Sequence, residues 1–333
     1  MRMPAEWAEH DGCLMAWPTR QELWRGGLAA ARAEYAAVAQ AIAAFEPVTM
    51  VAAPGQGAGA ERLCGPGITV VEAPIDDSWL RDSGPIFVVG ADGSRAGVDF
   101  RFNSWGGKHA PWDSDDRISA LLLERLGVER IESPMILEGG SLTVDGEGTL
   151  ITTEQCLLHP NRNPGLTREQ IEQELKDRLG VTKVVWLPYG GLEDFETDGH
   201  VDGVAAFTAP GKVLIQLPDD PAHPDHARMR ANKAVLEAST DAQGRPFELV
   251  ELPQSAFVEV AGEVVEVGYL NFYVANGGVV VPVAGVEADE EALAVIATAF
   301  PGRKVVGVPT PTVASGGGGI HCITQQLPKG GAA

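Results

Sequence analysis

The sequence predicts an α/β fold of five like units, each holding one helix and about three short strands, arranged radially. Three observations predict it. Helical apolar patterns recur at 28–45, 114–126, 168–179, 225–238 and 288–299. Their centres are spaced by roughly 55 to 85 residues, bracketing the about 67 that one fifth of the 333-residue chain would occupy. Glycine (40) and proline (23) make up about 19% of the chain against a usual ~12%, spread evenly rather than gathered in a linker. That distribution signals many turns between short elements and no domain boundary, so residues 1–333 are expected to form a single domain.

Taken along the chain, LAAARAEYAAVAQAIAAF reads as an alanine-rich helix, followed by the β-rich run PVTMVAA at 47–53. GPIFVVG at 84–90 is the next strand, and SDDRISALLLERL the second helix. SLTVDGEGTLITT at 141–153 reads as a hairpin turning at Asp145-Gly146-Glu147-Gly148. The third helix, at 168–179, opens on a capping box formed by Thr167 and Gln170. Runs at 201–207 and 212–218 read as strands before the helix at 225–238. Residues 268–283 form a second hairpin, turning at Asn276-Gly277-Gly278, and KVVGV at 304–308 follows the last helix. A doubly wound parallel sheet is the alternative, but the hairpins and the lack of a GxGxxG or GxxxxGK[ST] turn argue against a nucleotide-binding version.

With 25 Lys+Arg against 46 Asp+Glu the formal charge is −21. So acidic a surface excludes a phosphate-tracking nucleic-acid binder and docking on anionic lipid, and it suits a small cationic ligand. No apolar run approaches the roughly 18 to 20 residues of a membrane span. The opening MRMPAEWAEHDG lacks the apolar region of a signal peptide, so the expectation is a cytoplasmic protein. Cys13, Cys64, Cys156 and Cys322 lie far apart, with no CxxC pair and no zinc-site spacing. They are expected to be reduced, three of them as small buried hydrophobes and one marked out by its surroundings.

That one is Cys322, in SGGGGIHCITQQLP, where four glycines let the backbone approach a ligand and adopt positive φ. A flexible loop before a buried cysteine is equally open from this segment. His321 is a poor partner for Cys322, because adjacent side chains on an extended segment point to opposite faces. The best donor of a base is TDGHVDG, where His200 and Asp202 share one face of an expected strand, flanked by Glu196 and Asp198. Asp82 in DDSWLRDSGPIF and Glu138 in LEGGSL sit among turn formers, each readable alone as a turn or cap. One thiol, one imidazole and several carboxylates, without a metal cluster, make sense together if the electrophile is a cation. A guanidinium presents a planar fork of N–H donors that matches paired carboxylates.

MPAEWAEHDGCLMAWP, DDSWLRDSGPIFVV, FNSWGGK, LEGGSLTVDGEGTLITTEQCLL with NRNP, TDGHVD and GGGGIHCITQQLP carry a family resemblance from Met3 to Pro328. The chain resembles the agmatine deiminases (agmatine iminohydrolases), guanidino-modifying enzymes related to bacterial-type peptidylarginine deiminases. The resemblance implies the pentein fold, a five-bladed αβ propeller, and hydrolysis of agmatine to N-carbamoylputrescine and ammonia without a cofactor or metal, on the route to putrescine and polyamines. It implies that Cys322 is the nucleophile of a covalent amidino-cysteine intermediate. His200 would be the general acid and base, Glu138 the carboxylate orienting it, and Asp82 and Asp202 the pair gripping the guanidinium. Trp79 would wall the guanidinium and Glu196 meet the distal ammonium. The implied partner is a small cationic guanidino substrate, with no nucleic acid and no membrane, and self-association into a homo-oligomer stays open. Two departures stand out: Gly319 replaces a usual asparagine, and the substrate-covering segment between Lys108 and Trp112 is short. Another guanidino compound, a terminal peptidyl-arginine, amidino transfer to an amine, and a non-catalytic propeller binding cations are the alternatives.

Overall fold

The computed structural model describes residues 1–330. Its strands form five sheets of one recurring design and a separate hairpin. In each of the five, two antiparallel strands are followed by a crossover helix and a third strand parallel to the second. A parallel return cannot be made by a tight turn, which is why every unit needs its helix.

Ile86–Val89 pairs with Arg95–Arg101, helix Asp115–Leu126 crosses over, and Glu129–Ile136 completes one sheet. Thr143–Val144, Thr149–Thr153, helix Arg168–Leu179 and Lys183–Leu187 build the next. Ala205–Ala209, Lys212–Gln216, helix His226–Glu237 and Glu248–Leu252 follow. Then come Tyr273–Ala275, Gly278–Val283, helix Ala288–Ala299 and Lys304–Pro309. The remaining sheet joins the two ends of the described chain. Thr324–Pro328 lies antiparallel to His10–Ala16, helix Leu28–Ala43 crosses to Val48–Ala52, and helix Gly57–Cys64 leads to an added parallel strand, Ile68–Glu72.

The helices bury one stripe each. In Arg168–Leu179, Ile171, Leu175 and Leu179 recur at four-residue spacing and pack with Leu150 and Trp186 of the sheet beside them. The Thr167–Gln170 capping box is formed as the sequence predicts.

Each of the five helices predicted from periodicity is the crossover helix of one sheet. The doubly wound alternative is overturned, since the strands never gather into one sheet and every sheet contains an antiparallel pair. Both hairpins turn where expected, with Val144 opposite Leu150 and Ala275 opposite Gly278. The strand read across 201–207 is corrected. Val201–Gly203 is a 3₁₀ turn and the strand begins at Ala205, so His200 and Asp202 meet through a turn rather than by strand alternation. The sequence reading also omits Gly57–Cys64, whose two glycines weaken its helical pattern, and the hairpin Ala256–Val260 with Glu263–Val267.

Glu46, buried between helix Leu28–Ala43 and strand Val48–Ala52, pins three elements together. It accepts hydrogen bonds from the Tyr273 hydroxyl at 2.6 Å and the Asn276 amide at 2.7 Å, and its carboxylate lies 3.2 Å from His10 Nδ1. Glu46→Ala strands those donors in the interior and should cost about 3 kcal/mol of stability. Urea unfolding reads this directly, and a wild-type midpoint would refute the role.

Candidate active site

The five sheets deliver their polar groups by one rule: the residues just ahead of a sheet's first strand face a common cavity. Asp82 sits on the one-turn helix Leu80–Ser83 before Ile86–Val89. Glu138 caps the 3₁₀ turn Gly139–Ser141 before Thr143–Val144. His200 caps the turn carrying Asp202, before Ala205–Ala209. Asn271 precedes Tyr273–Ala275, and Cys322 precedes Thr324–Pro328. The cavity holds about 810 Å³, and His200, Asp202, Asn271, Glu196 and Cys322 are among its lining residues. A narrow inner recess is bounded by Trp79, Asp82, Trp105, Gly317 and Cys322.

Gly140 marks where the groups converge. A Cβ there would lie 2.6 Å from His200 Nδ1 and 2.9 Å from both Asp202 Oδ2 and Asp82 Oδ1, so only glycine leaves room for all three. Asp82 is held at both oxygens, Oδ1 by the Gly140 amide and Oδ2 by Trp105 Nε1, each at 2.9 Å. Cys322 Sγ lies 3.4 Å from Asp202 Oδ2 and accepts from Asn271 Nδ2 at 3.2 Å. His200 stands between carboxylates, with Nδ1 3.9 Å from Asp82 and Nε2 3.8 Å from Glu138. Neither ring nitrogen has a hydrogen-bond partner, which leaves both free for a reacting proton.

Burial raises the Cys322 thiol well above its usual value, and Asp202 and Asp82 push the same way, so the resting sulfur is protonated. Burial opposes the imidazolium of His200, but Asp82, Cys156 and Glu138 outweigh it and raise its pKa well above the ordinary. Burial likewise works against the Glu138 charge, yet Arg162 wins and keeps the carboxyl below its usual value. The Arg162–Glu138 pair is fully buried, with Nε donating to Oε1 at 2.6 Å.

The structure brings Cys322, His200, Glu138, Asp82 and Asp202 into one site. Trp79 lines its recess, backed by Trp24 with ring centroids 5.6 Å apart. Glu196 lines the same space but is already engaged, its Oε2 2.7 Å from His109 Nε2. The glycine run is packed rather than loose. Of its four residues only Gly317 has positive φ, and at Gly319 an added Cβ would lie 2.6 Å from Asn271 Oδ1. Lys108, in the short covering segment, reaches Asp198 at 2.8 Å.

Two sequence expectations need correcting. His321 does meet the cysteine's surroundings: it lies on a turn, not an extended segment, and its Nδ1 is 2.9 Å from the same Asp202 oxygen that Cys322 faces. Its Nε2 is 2.8 Å from Glu6. Cys156 is a buried core residue, as expected, and it also lies beside His200 and Glu138. Those three offer ligand atoms within 4.8 Å of one another, a metal-capable grouping that residue spacing does not reveal. Glu138 is, however, already neutralised by Arg162, so the trio fits proton handling better than a cation. Sequence reasoning also missed Asn271, Trp105 and Arg162. Trp105 and Arg162 stand inside FNSWGGK and NRNP, segments singled out without a role for either residue, whereas Asn271 inside YLNFYV carried no signal apart from its strand.

A family model described as Porphyromonas-type peptidyl-arginine deiminase matches residues 2–328. Agmatine deiminases of Stutzerimonas stutzeri and Pseudomonas putida are each 45% identical over 98% of this chain and 95% of their own length. The solved agmatine deiminase of Enterococcus faecalis superposes with a TM-score of 0.94 at 40% identity, over 98% of this chain and 96% of that one.

Glu6 provides a pH test of the buried network. Burial raises its carboxyl, but His321 and Arg81 overcome this and lower it from 4.5 to about 2. A folded pKa below the unfolded one gives stability that is present above pH 4.5 and lost as pH falls toward 2. Over that window the wild type should lose about 3 kcal/mol that Glu6→Gln does not. Parallel acid-stability curves for the two proteins, from urea titrations at each pH, would count against it.

Proposed function

The chain belongs to the Porphyromonas-type peptidyl-arginine deiminase family, and on that premise we propose that it is an agmatine deiminase, a hydrolase of C–N bonds that turns agmatine and water into N-carbamoylputrescine and ammonia. The observation that carries the reading is the convergence of Asp82, Asp202 and His200 on Gly140, with the Cys322 sulfur 3.4 Å from Asp202. We read the five repeated sheets as the blades of an αβ propeller forming one catalytic domain.

Asp82 and Asp202 take the guanidinium N–H groups, and Trp79 stacks beside its plane. Binding this cation offsets the two carboxylates that hold the Cys322 proton, so the substrate itself lowers the thiol toward ionisation. The thiol gives its proton to solvent, the sulfur forms a bond to the guanidinium carbon, and the bond from that carbon to a terminal nitrogen breaks. His200 protonates that nitrogen as it leaves as ammonia, and an S-linked amidino-cysteine remains. In the second half His200, now neutral, removes a proton from water. The oxygen adds to the same carbon, the C–S bond breaks as the added hydroxyl's proton passes to the sulfur, and the ureido product leaves with the thiol regenerated. Glu138, fixed by Arg162, orients His200 in both halves and favours its protonated form. Glu196 takes the distal ammonium.

Cys322→Ser should cut ammonia release from agmatine by at least about a thousandfold. Ammonia at the wild-type rate would sink the reading. The pH profile follows from the directions of the two raised groups. kcat/KM should rise with pH as the Cys322 thiol ionises and fall again once the His200 imidazolium is lost, giving a maximum on the alkaline side of neutrality. A rate that falls steadily from pH 6 upward is the contrary outcome.

A further inference from the structure

The geometry points to His109 as an internal stand-in for the substrate's distal ammonium: its imidazole occupies the carboxylate of Glu196 in the free protein and is displaced when agmatine binds. This inference rests on the agmatine deiminase reading and concerns how the same site selects its substrate.

Two segments meet over the cavity. One runs from Asn103 to Trp112, bent through positive φ at Ser104, Trp105, Gly106 and Gly107. The other is 193–198. Lys108 fastens them, donating from Nζ to the carbonyls of Phe195 and Glu196 and pairing with Asp198 at 2.8 Å. With the backbones stapled, His109 is placed against Glu196, its ring edge-on to Trp105 with centroids 5.9 Å apart. Both side chains line the main cavity and the inner recess beside Trp79 and Cys322.

Glu196 is therefore where a cation at the far end of a guanidine would arrive, yet Oε2 is already taken by His109 Nε2 at 2.7 Å. An imidazolium and an alkylammonium compete for one carboxylate, and the competition is set by pH because only the protonated ring is a rival. The groups around the ring do not all push one way, but on balance they favour its protonated form. Glu196 raises the His109 pKa, burial opposes that, Asp77 adds to the rise, and Arg20 works against it. Lys108 and Asp198 satisfy each other alongside. Both His109 and Glu196 are partly exposed, so the ring can swing outward into solvent without stranding a buried donor.

The consequence is a substrate-specific proton release. Agmatine, which carries the ammonium, must expel the imidazolium, which then gives up its proton as its partner is lost. Butylguanidine, the same guanidine with an uncharged tail, leaves the His109–Glu196 pair in place. In the wild type, KM for agmatine should rise as pH falls below the His109 pKa, approaching about tenfold per pH unit beyond any rise seen for butylguanidine. In His109→Ala and His109→Gln that difference between the two guanidines should vanish, with KM for agmatine at pH 6 falling toward its value at pH 8. Equal slopes for both guanidines in the wild type, or a difference that survives both substitutions, would overturn the inference. Titration calorimetry of the wild type in buffers of different ionisation enthalpy separates it from the activity it rests on. Agmatine that binds with proton release but without turnover removes the deiminase reading and keeps His109. Agmatine that binds with no more proton release than butylguanidine removes His109 alone, and agmatine that fails to bind removes both.

Discussion

Crowding carboxylates into a space shielded from water is the constraint from which the rest of this structure follows. Asp82, Glu138 and Asp202 are all buried around His200, and each unpaired charge there would be expensive. The protein answers with a different partner for each. Glu138 has the buried Arg162, Asp202 has His321, and Asp82 has two neutral N–H donors and a distant His200. Asp82 is thus the least compensated, and burial raises its carboxyl while the other two are lowered. The site is tuned to be short of positive charge at one place, where a guanidinium would sit.

The same shortage explains the resting thiol. A cysteine beside two carboxylates cannot ionise readily, and under the proposed mechanism its reactivity waits for a cation to arrive. Agents lacking that charge meet a protonated sulfur. His321 extends the arrangement from Asp202 to Glu6, so the carboxylate that faces the Cys322 sulfur is also held by a second buried pair.

How far the sequence reveals this depends on range. The crossover helices were legible because a 3.6-residue period repeated over 12 or 16 residues is a local signal, as in Arg168–Leu179 and Leu28–Ala43. One-turn helices such as Leu80–Ser83 are too short to have a period, although they place Asp82. Cys322, His200, Asp82, Glu138 and Asp202 were each found inside a short motif, and the family resemblance supplied their roles. Asn271, by contrast, reaches Cys322 across 51 residues from within an apolar strand run, and Arg162 reaches Glu138 across 24. Those partners exist only once sheets are packed, and nothing local announces them. His321 escapes the sequence because strand alternation would send it away from Cys322, whereas a turn sends both neighbouring side chains toward Asp202.

The pairing of Thr324–Pro328 with His10–Ala16 sets a schedule for the molecule's birth. A ribosome releases the first strand early, yet the strand that flanks it, the thiol, and the glycine run are made last. His321 and Glu6 stand 315 residues apart, so the loop that their contact closes spans nearly the whole chain and is costly to shut before the intervening sheets have formed. During synthesis three sheets can bring Asp82, Glu138 and Asp202 together before Cys322 has been made. Cys322 is made just ahead of Thr324–Pro328, the strand that gives His10–Ala16 its antiparallel neighbour.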